Sequence, residues 1–232
     1  MHAPLPEPIP VEMLLLAYRS GIFPMADRRD DPELFWVEPR ERAIIPLDGL
    51  RISKSLRKAL RQERFSVTID KAFDEVIAAC AAPRPGHPES WISMRIQASY
   101  RQLHEAGHAH SIECWREGEL VGGLYGVSFD RVFCGESMFS READASKVAL
   151  CWLVALMRYA GFQLLDCQFM TDHLARLGAL ELPQGDYLER LATSRGSAQM
   201  SLPRAYQEIL IDAQAHHSSP GKFIAQSLTQ TS

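Results

Sequence analysis

Two carboxylates and one amide stand where reactive chemistry could be built. Asp166 and Gln168 lie two residues apart in the run Gln163–Gln168, and strand positions i and i+2 point to one face. An acid and an amide sharing a face form either a polar site or a solvated strand end that caps the helix beginning at Thr171. Glu136 sits in a second strand beside Gly135, after a glycine-rich strand over Val121–Gly126. It either meets a ligand or pairs with an arginine. His104, His108 and His110 have the H-x-x-x-H-x-H spacing of a metal site. Gly107 breaks the helix between the first two, however, and no nearby carboxylate has ligand spacing. A turn leading into a strand is the better reading, and no metal is expected. Lys54, Arg57, Lys58 and Arg61 share one face of a helix that Ser53 can cap. Such a stripe is a solvated surface or a contact for phosphates. The chain has no Walker motif, no H-E-x-x-H and no G-x-S-x-G, so those routes to catalysis are excluded.

Elements must position these groups, and composition says a globular chain supplies them. The 232 residues carry 25 Lys and Arg against 29 Asp and Glu, a net charge of −4, with 46% hydrophobic and 23% charged residues. Those fractions exclude collagen-like, coiled-coil and largely disordered chains, and the acidic balance argues against a uniformly basic nucleic-acid binder. Cys80, Cys114, Cys134, Cys151 and Cys167 are odd in number and form no C-x-x-C pair, which fits a reducing cytoplasm better than a disulfide framework or zinc site. The start, MHAPLPEPIP, has no basic n-region or apolar h-region. The longest apolar stretch, Val148–Met157, is too short to span a bilayer. The expectation is a soluble cytoplasmic protein that does not engage membranes.

Along the chain, a proline-rich arm precedes a helix over Val11–Ser20 that Gly21 stops. A mixed stretch to Pro46 carries the aromatic pair Phe35-Trp36. The basic helix follows, then a strand over Phe65–Ile69, with Asp70 as the expected cap of a helix over Lys71–Cys80. The segment APRPGHPES is a loop, and Ser93 starts a helix running to Glu105. Three strands, Ser111–Arg116, Leu120–Ser128 and Val132–Phe139, are joined by the turns EGE and FDR. Glycines inside the middle strand mark a bulge or a close approach of ligand or chain. A long apolar helix over Ala145–Tyr159, with Asp144 as cap, leads to the strand Gln163–Gln168. A short helix from Thr171 closes at Gly178, and another surrounds Tyr187–Leu191. Ala205–Ala213 has helical character, and Ser218–Ser232 reads as disordered.

The order of meander, long helix and strand resembles the GNAT acyltransferase fold, in which two central strands splay around an acyl donor. The segment before the long helix, SREADASK, has no glycine and two acids. It cannot form the pyrophosphate nest of a coenzyme A user, so the donor is something else. Phe133-Cys-Gly-Glu-Ser-Met-Phe-Ser140, preceded by Val121-Gly-Gly-Leu-Tyr-Gly126, resembles the leucyl/phenylalanyl-tRNA–protein transferases. Ala17-Tyr18 with Gly21-Ile-Phe-Pro24, Trp91-Ile92, LHEAGHAHSIE, Ala145-Ser-Lys147, Asp166-Cys-Gln168, Leu177-Gly-Ala179 and Asp186-Tyr-Leu188 follow in the same order. The resemblance covers about residues 11 to 191.

The resemblance implies an α+β chain. Residues 1–45 form a small N-terminal subdomain, 46–200 a GNAT-like aminoacyltransferase domain with a mainly antiparallel central sheet, and 201–232 a partly disordered tail. It also implies transfer of leucine, phenylalanine or methionine from aminoacyl-tRNA to proteins beginning with Arg or Lys, marking them for degradation by the N-degron pathway. No cofactor is implied, because an activated ester is exchanged for an amide. By resemblance, Asp166 polarises Gln168, whose carbonyl oxygen takes the ammonium proton, and Glu136 orients the acceptor. Trp91, Phe133, Gly135, Met138 and Leu153 form the donor pocket, and the Lys54–Arg61 stripe meets tRNA phosphates. Met25 and Leu153, the latter beside Trp152, stand where many relatives carry aromatics. The competing readings are a transferase placing leucine on N-terminal Asp or Glu, an N-acetyltransferase, and a non-catalytic tRNA- or peptide-binding module. Glu136 and Asp166 together argue for a basic acceptor.

Overall fold

Tight turns build the centre of the molecule. Glu117 and Gly118 both take left-handed backbone angles, φ 52° and 85°, the geometry that lets a two-residue turn follow the twist of the strands it joins. The strands so joined are β5 (Ala109–Arg116) and β6 (Glu119–Phe129), and a turn at Asp130 returns the chain into β7 (Val132–Ser140). In the computed structural model, which describes residues 7–83 and 89–229, this meander is the middle of a seven-stranded sheet. The start of the proline arm, most of the APRPGHPES loop and the last three residues lie outside the described residues.

The remaining strands are β3 (Glu41–Ile45), β4 (Ser66–Ile69), β8 (Leu164–Gln168) and β9 (Leu180–Pro183), giving the order β4-β5-β6-β7-β8-β3-β9. All neighbours are antiparallel except β7 and β8. A separate hairpin pairs β1 (Phe23–Met25) with β2 (Phe35–Val37). The expected boundary at residue 45 falls just past β3, whose ladder belongs to the large sheet.

Alternate strand residues feed two cores. One face, with Leu124, Phe133 and Leu165, packs against α5 (Ala145–Ala160) and α2 (Lys54–Arg61). The other, with Tyr125, Cys134 and Leu164, packs against α1 (Val11–Arg19), α3 (Phe73–Ala81), α4 (Met94–Glu105) and α7 (Gln184–Thr193).

Caps at Ser53, Ser93 and Thr171 form as expected: each hydroxyl accepts the backbone N–H three residues on, in α2, α4 and the short α6 (Asp172–Arg176). Asp70 does not cap, and Asp144 occupies the expected N-cap position of α5 without a side-chain cap bond. Asp70 sits at φ 56° and accepts from Ser111 N–H and His110 Nδ1, while α3 begins two residues later than expected. Asp144 is at φ 73° and pairs with Lys147 at 2.9 Å.

Within the described residues, up to Thr229, the disorder expected from Ser218 is also corrected. Helices α8 (Leu202–Ala215) and α9 (Pro220–Ser227) cover the outer side of α5. The cause is α5 itself, apolar all round and therefore in need of cover on every side. Trp152 meets the Tyr206 ring at 5.7 Å, Tyr159 donates to Asp212 at 2.7 Å, and Ile224 is fully buried. Among the described residues no helix is long and apolar enough to cross a membrane.

Candidate active site

The parallel pair β7 and β8 stays in register for only three residues, Val132 with Leu164 through Cys134 with Asp166. Past that point the strands part. The gap is a cleft of about 660 Å³. Its deep wall is apolar, from Leu124 on β6, Leu150 and Leu153 on α5, and Leu165 on β8, with Met138 beside them. Glu136 and Gln168 line it, together with His173 and Leu174 of α6, Trp91, and the half-exposed Phe169.

Two bulges aim the polar groups. On β7, Ser137 pairs with Tyr125 and Gly135 with Gly126, leaving Glu136 as the extra residue. On β8, Asp166 pairs with Ile44 and Gln168 with Ala43, leaving Cys167 extra. A bulge bends its strand and redirects side chains. Gly126 is needed opposite the first, since a Cβ there would overlap the Cys134 carbonyl and the Phe133 ring. The glycine-rich strand thus marks a bulge on its partner.

Glu136 is 7% exposed and collects donors. Its Oε1 accepts from Tyr18 Oη at 2.7 Å and Gln168 Nε2 at 2.9 Å, and its Oε2 accepts from Tyr100 Oη at 3.0 Å. The two tyrosine hydroxyls also touch each other. Burial pushes the Glu136 carboxyl up to about 7, against the pull of these hydrogen bonds. Burial, with Glu136 next, also holds both phenols well above the ordinary tyrosine value. Because Gln168 Nε2 is committed to Glu136, its Oε1 is left as the acceptor of that amide.

Asp166 is fully buried and does not line the cleft. Arg42 grips it with two bonds, Nε to Oδ1 at 2.9 Å and Nη2 to Oδ2 at 2.6 Å. Tyr187 Oη donates to Oδ2 at 3.1 Å. Arg42 lies between the Phe23 and Tyr187 rings, 4.7 and 4.5 Å from their centroids, and donates to Gly21 O. Burial works against its charge, but Asp166 raises its pKa above the ordinary arginine value. Asp166 reaches Gln168 only through the backbone, accepting its N–H at 2.8 Å, with Gln168 at φ 63°. The i, i+2 geometry expected from sequence therefore does not couple the two side chains. Asp166 fixes the turn, and Glu136 holds the amide.

The other expected residues divide. Trp91, Gly135, Met138 and Leu153 line the cleft. Phe133 does not; it is fully buried under Gly126 in the α5 core. Leu153 rather than Trp152 faces the cleft, since Trp152 turns to Tyr206. Met25 packs into the other core. Lys54, Arg57, Lys58 and Arg61 line a separate hollow. His104, His108 and His110 turn Nδ1 to Ala109 O, Ser128 O and Asp70 respectively, and no metal-binding group occurs among the described residues. Arg42, Tyr18, Tyr100, Tyr187 and Phe169 were not anticipated. Two of them fall in sequence motifs, Tyr18 in Ala17-Tyr18 and Tyr187 in Asp186-Tyr-Leu188.

Models of the leucyl/phenylalanyl-tRNA protein transferase match residues 44–192, and of its N-terminal domain residues 8–40. A leucyl/phenylalanyl-tRNA–protein transferase from Novosphingobium aromaticivorans is 56% identical, covering 98% of each chain. One from Rhizorhabdus wittichii is 58% identical over 80% of this chain and 75% of its own. Among solved structures, the C-terminal domain of a putative lysylphosphatidylglycerol synthetase from Agrobacterium fabrum superposes with a TM-score of 0.40 at 10% identity, over 87% of this chain and 69% of that one. That likeness is too distant to bear on the chemistry. With most of the described chain matched by the family models, and more than half of its residues shared with a relative of equal extent, the chain belongs to the leucyl/phenylalanyl-tRNA–protein transferase family.

Proposed function

We propose that this chain transfers leucine, phenylalanine or, less well, methionine from aminoacyl-tRNA to the α-amino group of proteins beginning with Arg or Lys, in the cytoplasm, and so marks them for degradation. The observation that carries the reading is the Glu136–Gln168 pair at an apolar cleft opened by two splayed strands. We read that splay as the GNAT-type arrangement, with an aminoacyl ester as donor.

The amine nitrogen attacks the ester carbonyl carbon, the bond to the tRNA 3′ oxygen breaks, and an amide forms. An ammonium acceptor must give up one proton before attack and a second during it. The leaving oxygen takes one, and one is released. Glu136, lining the cleft with a carboxyl near 7, is suited to take the first. Gln168 Oε1 aims the amine. Asp166 and Arg42 are positioning residues that hold the Gln168 turn. Leu153, Leu150, Leu165 and Met138 receive the aminoacyl side chain, Trp91 closes one side, Gly135 allows close backbone approach, and Phe133 supports the strand from below. Lys54, Arg57, Lys58 and Arg61 contact tRNA phosphates. Arg42 cancels the charge of Asp166, so the preference for a basic first residue rests on Glu136, the one carboxylate among the described residues that line the cleft. Transfer of radiolabelled leucine from charged tRNA should label a peptide beginning with Arg and leave one beginning with Asp unlabelled. The reverse pattern would replace this reading with the acidic-acceptor alternative.

The cleft also predicts donor choice. Leucine branches at Cγ and leaves Cβ slim, whereas valine and isoleucine branch at Cβ against the walls. Differences of this kind amount to about 1–3 kcal/mol per methylene, a preference rather than an absolute filter. Met138→Ala should reduce leucine transfer more than phenylalanine transfer, because the smaller side chain depends more on wall contact. Competition between the two charged tRNAs measures the ratio, and a shift toward leucine would remove Met138 from the donor wall.

A further inference from the structure

Helix α9 lies beyond the segments that the family models match, yet it is tightly seated on α2. Gly221 approaches so closely that a Cβ would overlap the Leu60 carbonyl, and its N–H donates to Glu63 Oε1 at 3.0 Å. Ile224 and Ala225 are buried beneath it. This seating carries the exposed Lys222 to the basic face of α2. Lys54, Arg57, Lys58, Arg61 and Lys222, with Gln62, line a single hollow of about 380 Å³. Among the described residues, none of the five cations pairs with a carboxylate. The nearby Glu63 carboxylate is engaged by the Gly221 N–H. Five converging like charges repel one another in the free protein and gain most from a polyanion.

A second observation links this hollow to the cleft. His173 lines the cleft, and Lys147 and Arg176, after burial, hold its imidazole below the ordinary histidine value. The loop after α6 is tied back by Arg51 N–H donating to Leu177 O at 2.9 Å, with the Arg51 side chain against Gly178. Three residues later α2 begins. Arg176, Arg51 and Lys54 thus lie along the tied segments that join α6, at the cleft wall, to the start of α2.

We propose that α9 is part of the tRNA-binding surface: Lys222 closes a five-cation phosphate site with α2, gripping the backbone of a tRNA whose charged 3′ end runs along these segments into the cleft. The inference rests on the tRNA-dependent reading above. Phosphate contacts of this kind fix position without reading sequence.

The test is equilibrium binding of uncharged leucine tRNA to the full chain between about 50 and 200 mM KCl, since each phosphate contact contributes about 0.7–0.9 to the slope of log affinity against log salt. Lys222→Ala should lower the slope by about that amount and weaken binding about sixfold at ~0.1 M KCl. Lys222→Arg should restore both. An unchanged slope in Lys222→Ala beside a reduced slope in Arg57→Ala overturns the role of α9 and leaves that of α2 standing. Unchanged slopes in both variants overturn the α2 reading as well. A loss in Lys222→Ala that arginine does not restore assigns the effect to packing of α9 and also overturns the proposal.

Discussion

Glu136→Gln will slow transfer to Arg-initiated peptides by about 10²–10⁴-fold, the range that a positioned acid–base group supplies. The substitution keeps the shape of the side chain and removes its capacity to take a proton. It should leave tRNA affinity nearly intact, because the basic hollow lies elsewhere. The pH profile separates this role from a structural one. In the wild type, kcat/KM should rise through about 7, where Glu136 ionises, and level off once the acceptor amine is itself deprotonated above ~7.7–8.0. In the variant the limb near 7 should vanish. Stability moves in the opposite sense. The folded state holds the Glu136 proton up to about 7, against an ordinary value of 4.5, so unfolding releases a proton in that window and stability falls as pH rises. That loss, on the order of 3 kcal/mol, is complete above about 7 and absent below the ordinary value. Glu136→Gln should flatten this slope in urea unfolding measured from pH 4.5 to 7. A variant with full activity and an unchanged profile would end the assigned role.

Arg42→Met will cost the fold about 3–5 kcal/mol, because it strands a buried carboxylate. Arg42 is 1% exposed and Asp166 fully buried. Without the guanidinium, Asp166 keeps the Gln168 N–H, the Tyr187 hydroxyl and the Cys134 thiol, none of them charged, and the Gly21 carbonyl loses its donor. Asp166→Leu in the Arg42→Met background should recover part of the loss, since the buried charge is then gone. Arg42→Lys should fail to rescue, because an ammonium supplies neither the two-pronged grip nor the flat stacking between Phe23 and Tyr187. Urea titration of the single and double variants measures the coupling. A loss below about 1 kcal/mol for Arg42→Met would place the pair with the weak, solvent-screened ion pairs.

The elements legible in the sequence were those with local signals. Ser53 and Ser93 announced their helices with a hydroxyl three residues ahead of the N–H it accepts. Gly118 announced the β5–β6 turn. Strands β3 and β9 were missed because each is short and pairs with a partner far away in the chain. Neither alternates cleanly enough to stand out. Arg42 had no local signal at all, since its meaning depends on Asp166, 124 residues later. Tyr18 and Tyr100 sit at positions that read as ordinary helix core, and only the fold brings both hydroxyls to Glu136. The bulges at Glu136 and Cys167 were invisible on their own strands, although the glycines of β6 registered the first from across the ladder. For α9 the signal lay in a different element. An α5 with apolar residues on every face required a cover that the polar tail did not advertise.

The most direct measurement is a crystal structure with leucine joined by a stable amide to the 3′ position of adenosine, a stand-in for the charged end of the tRNA. The leucyl side chain should lie between β7 and β8, against Leu153 and Met138. Its carbonyl carbon should face Gln168 Oε1 across a gap that admits an amine within about 3–3.5 Å of it. Density for the leucyl group outside this cleft, away from Glu136 and Gln168, would contradict the account.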